Sequence, residues 1–445
     1  MPERGFPKDA KIAGECELHE TISAYPGTGF TGHLSAVVNR KALYGQDGEQ
    51  RTTTERSVRL TRGVASYGGP TMKGLDLARD FYFDCLQPII VRQTPDLREA
   101  HAAGLIGYGS DVLGNDDEFS RDHEWGPRLV LFLRDRDYSR FAEGLDLTLQ
   151  NALPATFQGF PTRFERNPRL WNSLVMTTSA EGRHHVAITT VERFMKLTLG
   201  YRGVPETDFQ WLLIPEQRLL EFTSGEIFYD GIGEITHARA KCCYFPDNVW
   251  RYRLSYVLES LGWELGLIPL CGKRGDSLSV RLNTAVTVER VMKLTFLVNR
   301  RYCPGYAKWL HREFSKLPIA AREIESLLAQ ALLTTDAVAI HSKISEALER
   351  LYVHLRVLDG VPELPSELPR VLDRSSTVDT QKVARIILDS ISGPLGELSI
   401  NGAACGAADQ WVTNQDILIS PEHVKSLASV YSATELERRR AEDVI

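Results

Sequence analysis

The chain has 445 residues, 43% of them hydrophobic and 25% charged, a balance that predicts a soluble protein with a real core and two or three domains. Lys and Arg total 52 against 58 Asp and Glu, a net charge of −6, which excludes a dedicated, strongly basic nucleic-acid binder. The seven cysteines are odd in number and form no CxxC, so reduced thiols are expected rather than a disulfide frame or a zinc knuckle. The first twenty residues hold no apolar core of signal-peptide length, and no apolar run approaches the ~18 residues of a membrane span. A cytoplasmic protein that does not enter the membrane is the expectation.

In chain order, residues 1–70 are rich in Gly, Thr and Arg, weakly patterned, and read as an arm or a small appended unit. Helical spacing runs through 71–95 on Leu75, Leu77, Phe81 and Leu86 and stops before Pro95. "GLIGYGS" reads as a short strand entering a glycine turn. "RLVLFL" (128–133) is the clearest strand, and its unbroken apolar run suits a sheet covered on both faces. A helix is expected over 138–151. The polar interval 158–183, with Pro161 and Pro168, reads as an inserted loop. "HHVAITT" (184–190) reads as a strand leading into a helix, and "GEIFYDGIGEIT" (225–236) as strands around a turn at Gly231–Gly233.

From about Val249 the pattern is helical. Ile344, Leu348, Leu351, Leu355 and Leu358 step by four and three along one helix face. The proline-rich "VPELPSELP" (361–369) links to a last helical segment. "TVERFMKLTLG" (190–200) echoes "TVERVMKLTFL" (287–297), with Thr190 and Thr287 as candidate helix caps. The fold class expected is α+β. A unit at 1–70 is followed by a small mixed-sheet domain over 71–240 and a mostly helical domain over 241–445.

Chemistry concentrates in "GYGSDVLGNDDEFSRDHEW" (107–125), where six acids fall among fourteen residues after a glycine turn. Carboxylates so crowded need water, cations or a metal to offset their repulsion. Gly109 lets the backbone approach a ligand, and Ser110 offers a hydroxyl and an N–H to phosphate oxygens. Read as extended chain, 122–125 puts Asp122 and Glu124 on one face, about 7 Å apart, a site for a hard cation such as Mg2+. A phosphate cradle beside a carboxylate pair predicts phosphoryl or nucleotidyl transfer.

Other motifs are weaker. "GTGFTG" (27–32) matches GxGxxG, but the strand that a dinucleotide fold needs before it is missing, and no GxxxxGK[ST] occurs. His184-His185 and Cys242-Cys243 are adjacent pairs whose spacing fits no tetrahedral zinc site. "NRRYCPGYAKW" (299–309) mixes cations with aromatics, which suits a nucleotide, Lys308 facing the triphosphate and a ring facing the base.

GS, a spacer of this length and D-x-E resemble the signature of the polymerase-β-type nucleotidyltransferase superfamily. The spacer is similar to that of aminoglycoside nucleotidyltransferases. Four segments, 109–127, 222–246, 296–314 and 409–418, resemble an uncharacterised family of predicted nucleotidyltransferases, over roughly 70–420. The resemblance implies an active site in the cleft between sheet and helices, with Asp122 and Glu124 as catalytic and metal-binding acids. It implies Gly109, Ser110, Arg301, Tyr302 and Lys308 as nucleotide-binding residues, Mg2+ (with Mn2+ as the substitute) as cofactor and ATP as substrate. The superfamily's third carboxylate belongs on the next strand, here "HHVAITT", which has no acid. Glu192 just beyond it is the first candidate, with His185 or water otherwise completing the shell. Asp230 and Glu234 are candidate bases.

The expected reaction is transfer of AMP from ATP onto a hydroxyl of a small polyhydroxylated acceptor. The alternatives are a tRNA or protein acceptor, which the basic residues at 40–62 keep open, and a nucleotide-binding protein without catalysis.

Overall fold

A computed structural model describes residues 72–170, 172–371, 377–400 and 402–431, with the backbone of β1 (Lys41–Tyr44) and β2 (Gln50–Thr53). The glycine motif at 27–32 and the basic side chains at 40–62 lie outside the described residues. The chain divides into two compact units, Met1–Pro70 and Thr71–Ile445. In the first, β1 and β2 pair antiparallel.

The second unit is α+β: one small mixed sheet, then mostly helix. It begins with α1 (Gly74–Phe81) and α2 (Gln87–Gln93), joined by a π-helical turn over Tyr82–Leu86. The sheet comprises β3 (His101–Leu105), β4 (Arg128–Leu133), β7 (His185–Thr189) and β8 (Glu226–Asp230), in the order β8-β3-β4-β7. β3 runs antiparallel to both β8 and β4, whereas β4 and β7 are parallel and place Arg128 opposite His185.

All six residues of β4 are buried. The two-residue period sends Leu129, Leu131 and Leu133 toward Phe81, Leu86 and Ile90, and toward Leu145 and Leu149 of α3 (Asp135–Ala152). Val130 and Phe132 face the other way, toward Phe194 of α4 (Val191–Leu199) and Phe222 of α6 (Glu216–Thr223). Each face of the strand therefore has its own core, which is why the run is apolar without alternation.

The helical part packs on that second face. It is built on α8 (Asp247–Lys273) and α9 (Ser277–Val298), with α10 (Ala307–Phe314), α11 (Ala321–Leu333), α12 (Ala337–Leu355) and α13 (Thr380–Asp389) around them. Among the described residues no helix is long and apolar enough to cross a membrane.

Four local expectations are corrected. The interval 158–183 is not an open loop: β5 (Arg163–Asn167) and β6 (Ser173–Thr177) form an antiparallel hairpin with Phe164 buried. Pro161 and Pro168 flank β5 rather than interrupt it, so neither removes a hydrogen bond from that hairpin; Pro161 lies in a separate two-residue ladder, opposite Thr156. The stretch 225–236 holds one strand, β8, and then the start of α7 (Glu234–Lys241). The Asp230 carboxylate accepts the N–H groups of Gly233 (2.7 Å) and Thr236 (3.0 Å), which opens a helix where a second strand was expected. Helix thus resumes before Val249. Thr190 does cap α4, accepting from the Arg193 N–H, but Thr287 is buried inside α9 and donates to the Asn283 carbonyl. The two echoing segments share composition and not position in their helices.

Candidate functional site

The acidic turn resolves its own charge in three ways. Asp111 is fully buried, and its carboxylate meets the Arg128 guanidinium at 2.6 Å. Arg128 also donates to the Tyr108 carbonyl at 2.9 Å, so one cation clamps the turn from both sides of Gly109. Gly109 has φ +142°, and a Cβ there would fall 2.1 Å from Arg128 Nη2. Only glycine fits that conformation and that space.

Asp116 accepts from the Gly74 N–H (2.8 Å) and the Trp125 indole (3.1 Å) and lies 3.3 Å from Lys73 Nζ. Asp117 caps the short 3-10 helix Glu118–Asp122 through the N–H groups of Phe119 and Ser120. Three acids are thus used in holding the turn, Glu118 is exposed to solvent, and Asp122 and Glu124 remain for the surface they face.

These two are not on a β-strand, as the sequence suggested. Asp122 ends the 3-10 helix, His123 is extended, and Glu124 is left-handed with φ +48°. The cause is a pairing with β6: the Glu124 N–H donates to the Leu174 carbonyl (2.8 Å), and the Leu174 N–H donates to Glu124 Oε1 (2.9 Å). Both carboxylates nonetheless line one cleft of about 240 Å³. His185 Nε2 lies 3.7 Å from Glu124 Oε2, and burial pushes its pKa down to about 3, so the ring is neutral. Among the described residues no group of three or more His, Cys, Asp or Glu is placed to hold a metal ion.

The cleft brings together Gly109, Ser110, Asp122, Glu124 and Lys308. Lys308 reaches it from α10, close to two hundred residues away in sequence, with its ammonium 5.2 Å from the Trp309 ring. α10 is tied to the acidic turn by Arg312, which donates to the Asn115 carbonyl (3.2 Å), and by Lys316, which donates to the Asn115 side chain (3.3 Å).

Other candidates lie elsewhere. Arg301 is exposed and does not line the cleft, and Tyr302 is buried with its hydroxyl donating to the Cys242 carbonyl at 3.0 Å. Glu192 pairs with Arg202, Glu234 lies 3.8 Å from Arg134, and Asp230 is the cap already described. Glu192 and Glu234 lie in the first turns of α4 and α7, Asp230 ends β8, and none of the three lines the cleft.

The sequence reading missed Tyr108, Phe119, Gln217 and Glu221, which also line the cleft, as do Tyr306 and Trp309, two of the aromatics in "NRRYCPGYAKW". Glu221 is 2% exposed and accepts from the Gln217 amide (2.8 Å) and the Arg218 guanidinium (2.7 Å). Burial, with the charges of Glu221 and Glu124, pushes the Tyr108 phenol up; burial, with Glu221 and Tyr108, does the same to Tyr306. A signal for Glu221 was present: an acid between Leu220 and Phe222, on the buried face of an amphipathic helix, needs a reason to be there.

α6 itself is anchored from behind. Asp409 accepts the Glu216 N–H at 3.0 Å and both ends of the Arg253 guanidinium at 2.9 and 3.0 Å. Burial raises the Glu216 carboxyl to about 7, while Arg253 holds Asp409 below its ordinary value against the same burial.

Residues 211–310 match the family model of a domain of unknown function, DUF4037, a segment that includes α6, Tyr306, Lys308 and Trp309. No curated protein matches the chain. The chain has structural similarity to a nucleotidyltransferase-like protein from Exiguobacterium sibiricum, at 10% identity and a TM-score of 0.28, covering 61% of this chain and 77% of that one.

Proposed function

We propose that this chain is a divalent-metal-dependent nucleotidyltransferase that moves AMP from ATP onto a hydroxyl of a small polyhydroxylated acceptor. One observation carries the reading: a glycine–serine turn, two carboxylates and a lysine, drawn from distant parts of the chain, line a single cleft. Those are the groups that triphosphate and metal chemistry require, and the fixed backbone of the turn keeps them together.

The donor set suits Mg2+, with Mn2+ as the substitute. One Glu124 oxygen is taken by the Leu174 N–H, and the rest of the pair offers oxygen donors at a part-open surface. Mg2+ is usually held by one or two carboxylates together with substrate phosphates and water, so a closed protein cage is not needed. When bound, the ion supplies charge neutralisation at the α-phosphate and the departing pyrophosphate.

The chain's own groups do the remainder. The open Gly109 backbone and the Ser110 hydroxyl hold phosphate oxygens, and Lys308 offsets triphosphate charge. Trp309 offers a ring face to the base. Asp111 and Arg128 keep the cradle in shape. An acceptor oxygen attacks the α-phosphorus, its bond to the bridging oxygen breaks, and pyrophosphate leaves.

The test is transfer of label from [α-32P]ATP, with Mg2+, to kanamycin, myo-inositol or ribose, with pyrophosphate measured in parallel. Label in an acceptor with matching pyrophosphate supports the reading. Nucleotide binding without turnover makes the chain a nucleotide-binding protein instead.

A further inference from the structure

β7, next to β4, carries no acid, and the three acids that the sequence offered in its place face other partners. Besides Asp117, Asp122 and Glu124, all from the acidic turn, the cleft is lined by one carboxylate from another element, Glu221 of α6. We infer that Glu221 is the general base for the acceptor hydroxyl, and that Gln217, Glu221 and Tyr306 form the acceptor subsite. The inference rests on the transfer reading and extends it to the acceptor side.

Four observations support the assignment. Glu221 lines the same cleft as Asp122, Glu124 and Lys308, but it belongs to α6 and not to the turn. Each of its oxygens takes one hydrogen bond, from Gln217 and from Arg218, leaving lone pairs for a substrate proton. Its position is fixed: the Gly107 N–H donates to the Glu221 carbonyl at 3.0 Å, joining α6 to the strand end that carries the phosphate turn. Tyr108 and Tyr306 line the same cleft, and the charge of Glu221 helps to raise both phenols. Tyr306 and the Gln217 amide then offer neutral hydrogen-bonding groups of the kind that recognises a polyol.

In the step, the acceptor O–H gives its proton to the Glu221 carboxylate as its oxygen bonds to the α-phosphorus. The bond from that phosphorus to the β-bridging oxygen breaks and pyrophosphate carries the electron pair away. Glu221 then returns the proton to water.

The experiment uses the full chain and three variants, Glu221→Gln, Glu221→Asp and Glu221→Ala. Binding of α,β-methylene-ATP with Mg2+ is measured by calorimetry. Pyrophosphate release from ATP is measured with kanamycin, myo-inositol, ribose or water as acceptor. Glu221→Gln should bind the analogue as the wild type does and lose at least ~100-fold in kcat, the lower end of general-base effects. Glu221→Asp should recover part of the rate. Added formate should restore part of the rate to Glu221→Ala, which a merely structural role would not allow. A kcat within threefold of wild type in Glu221→Gln overturns the base while leaving the transfer reading intact. An unchanged kcat with a raised Mg2+ requirement makes Glu221 a metal ligand and also overturns it. Wild-type protein that binds the analogue and releases no pyrophosphate with any of these acceptors overturns the transfer reading, and the base with it.

Discussion

The Asp111 carboxylate and the Arg128 guanidinium meet at 2.6 Å, with side-chain exposures of 0% and 9%, directly behind Ser110. A pair so dry is unforgiving of a missing partner. Asp111→Asn should lower unfolding stability by ~3–5 kcal/mol, because Arg128 keeps its charge and loses its counter-ion. Asp111→Leu combined with Arg128→Met should be less damaging than either single change. Urea titrations of the wild type, Asp111→Asn, Asp111→Leu, Arg128→Met and the double variant decide it. Additive losses would show that the two side chains do not act as a pair.

Asp122→Asn should abolish transfer and leave the fold untouched. The side chain is more than half exposed, 54%, and lies 2.9 Å from His123, so the change removes charge and almost no packing. The measurements are label transfer with Mg2+ present and a thermal melt. Full turnover in this variant would remove Asp122 from the site.

Lys308→Met should raise the KM for ATP by about 10–100-fold, the effect of losing ~1.5–3 kcal/mol of charge-assisted hydrogen bonding. The methionine keeps the stem beside Trp309, so the helix should be unaffected. Steady-state rates against ATP at fixed free Mg2+ test it. Superimposed curves would make Lys308 a surface residue.

Glu216 predicts a pH effect of definite sign. Burial raises its carboxyl to about 7, against the opposing pull of Arg253, while Asp409 adds repulsion and Lys293 attraction. An acid whose pKa rises on folding contributes stability that is present below the ordinary carboxylate range and is lost as pH climbs through about 7. The Tm of Glu216→Gln minus that of the wild type should therefore grow between pH 5 and pH 8. A constant difference would mean that Glu216 is already ionised in the fold at pH 5.

The legible parts of this chain were those in which local pattern and final environment agree. β4 declared itself because both its faces are covered, and α12 because its apolar residues step along one side. Gly109 and Ser110 were legible because backbone freedom and a hydroxyl are local properties. Asp122 and Glu124 were named on a strand geometry that the fold does not use: they share the cleft through a 3-10 turn and a left-handed residue. That geometry depends on Leu174, fifty residues away, and no local pattern reveals it. Tyr302 seemed a ligand because aromatics beside cations suit nucleotides, but the core around Cys242 claims it, and the half-buried Tyr306 and Trp309 line the cleft instead. Glu221 was hidden by its helix, since an acid in an amphipathic segment is ordinarily assigned to the solvent side.

The anchoring of α6 by Asp409 also sets an order of events during synthesis. The residue that accepts the first N–H of α6 lies 193 positions downstream of Glu216. Until the ribosome has made that distant aspartate, Glu216 is the one carboxylate beside Arg253 among the described residues, and the first N–H of α6 lacks its acceptor. The start of α6 is thus anchored late, and a chain cut short before residue 409 carries the phosphate turn beside a helix whose first turn is not yet tied down.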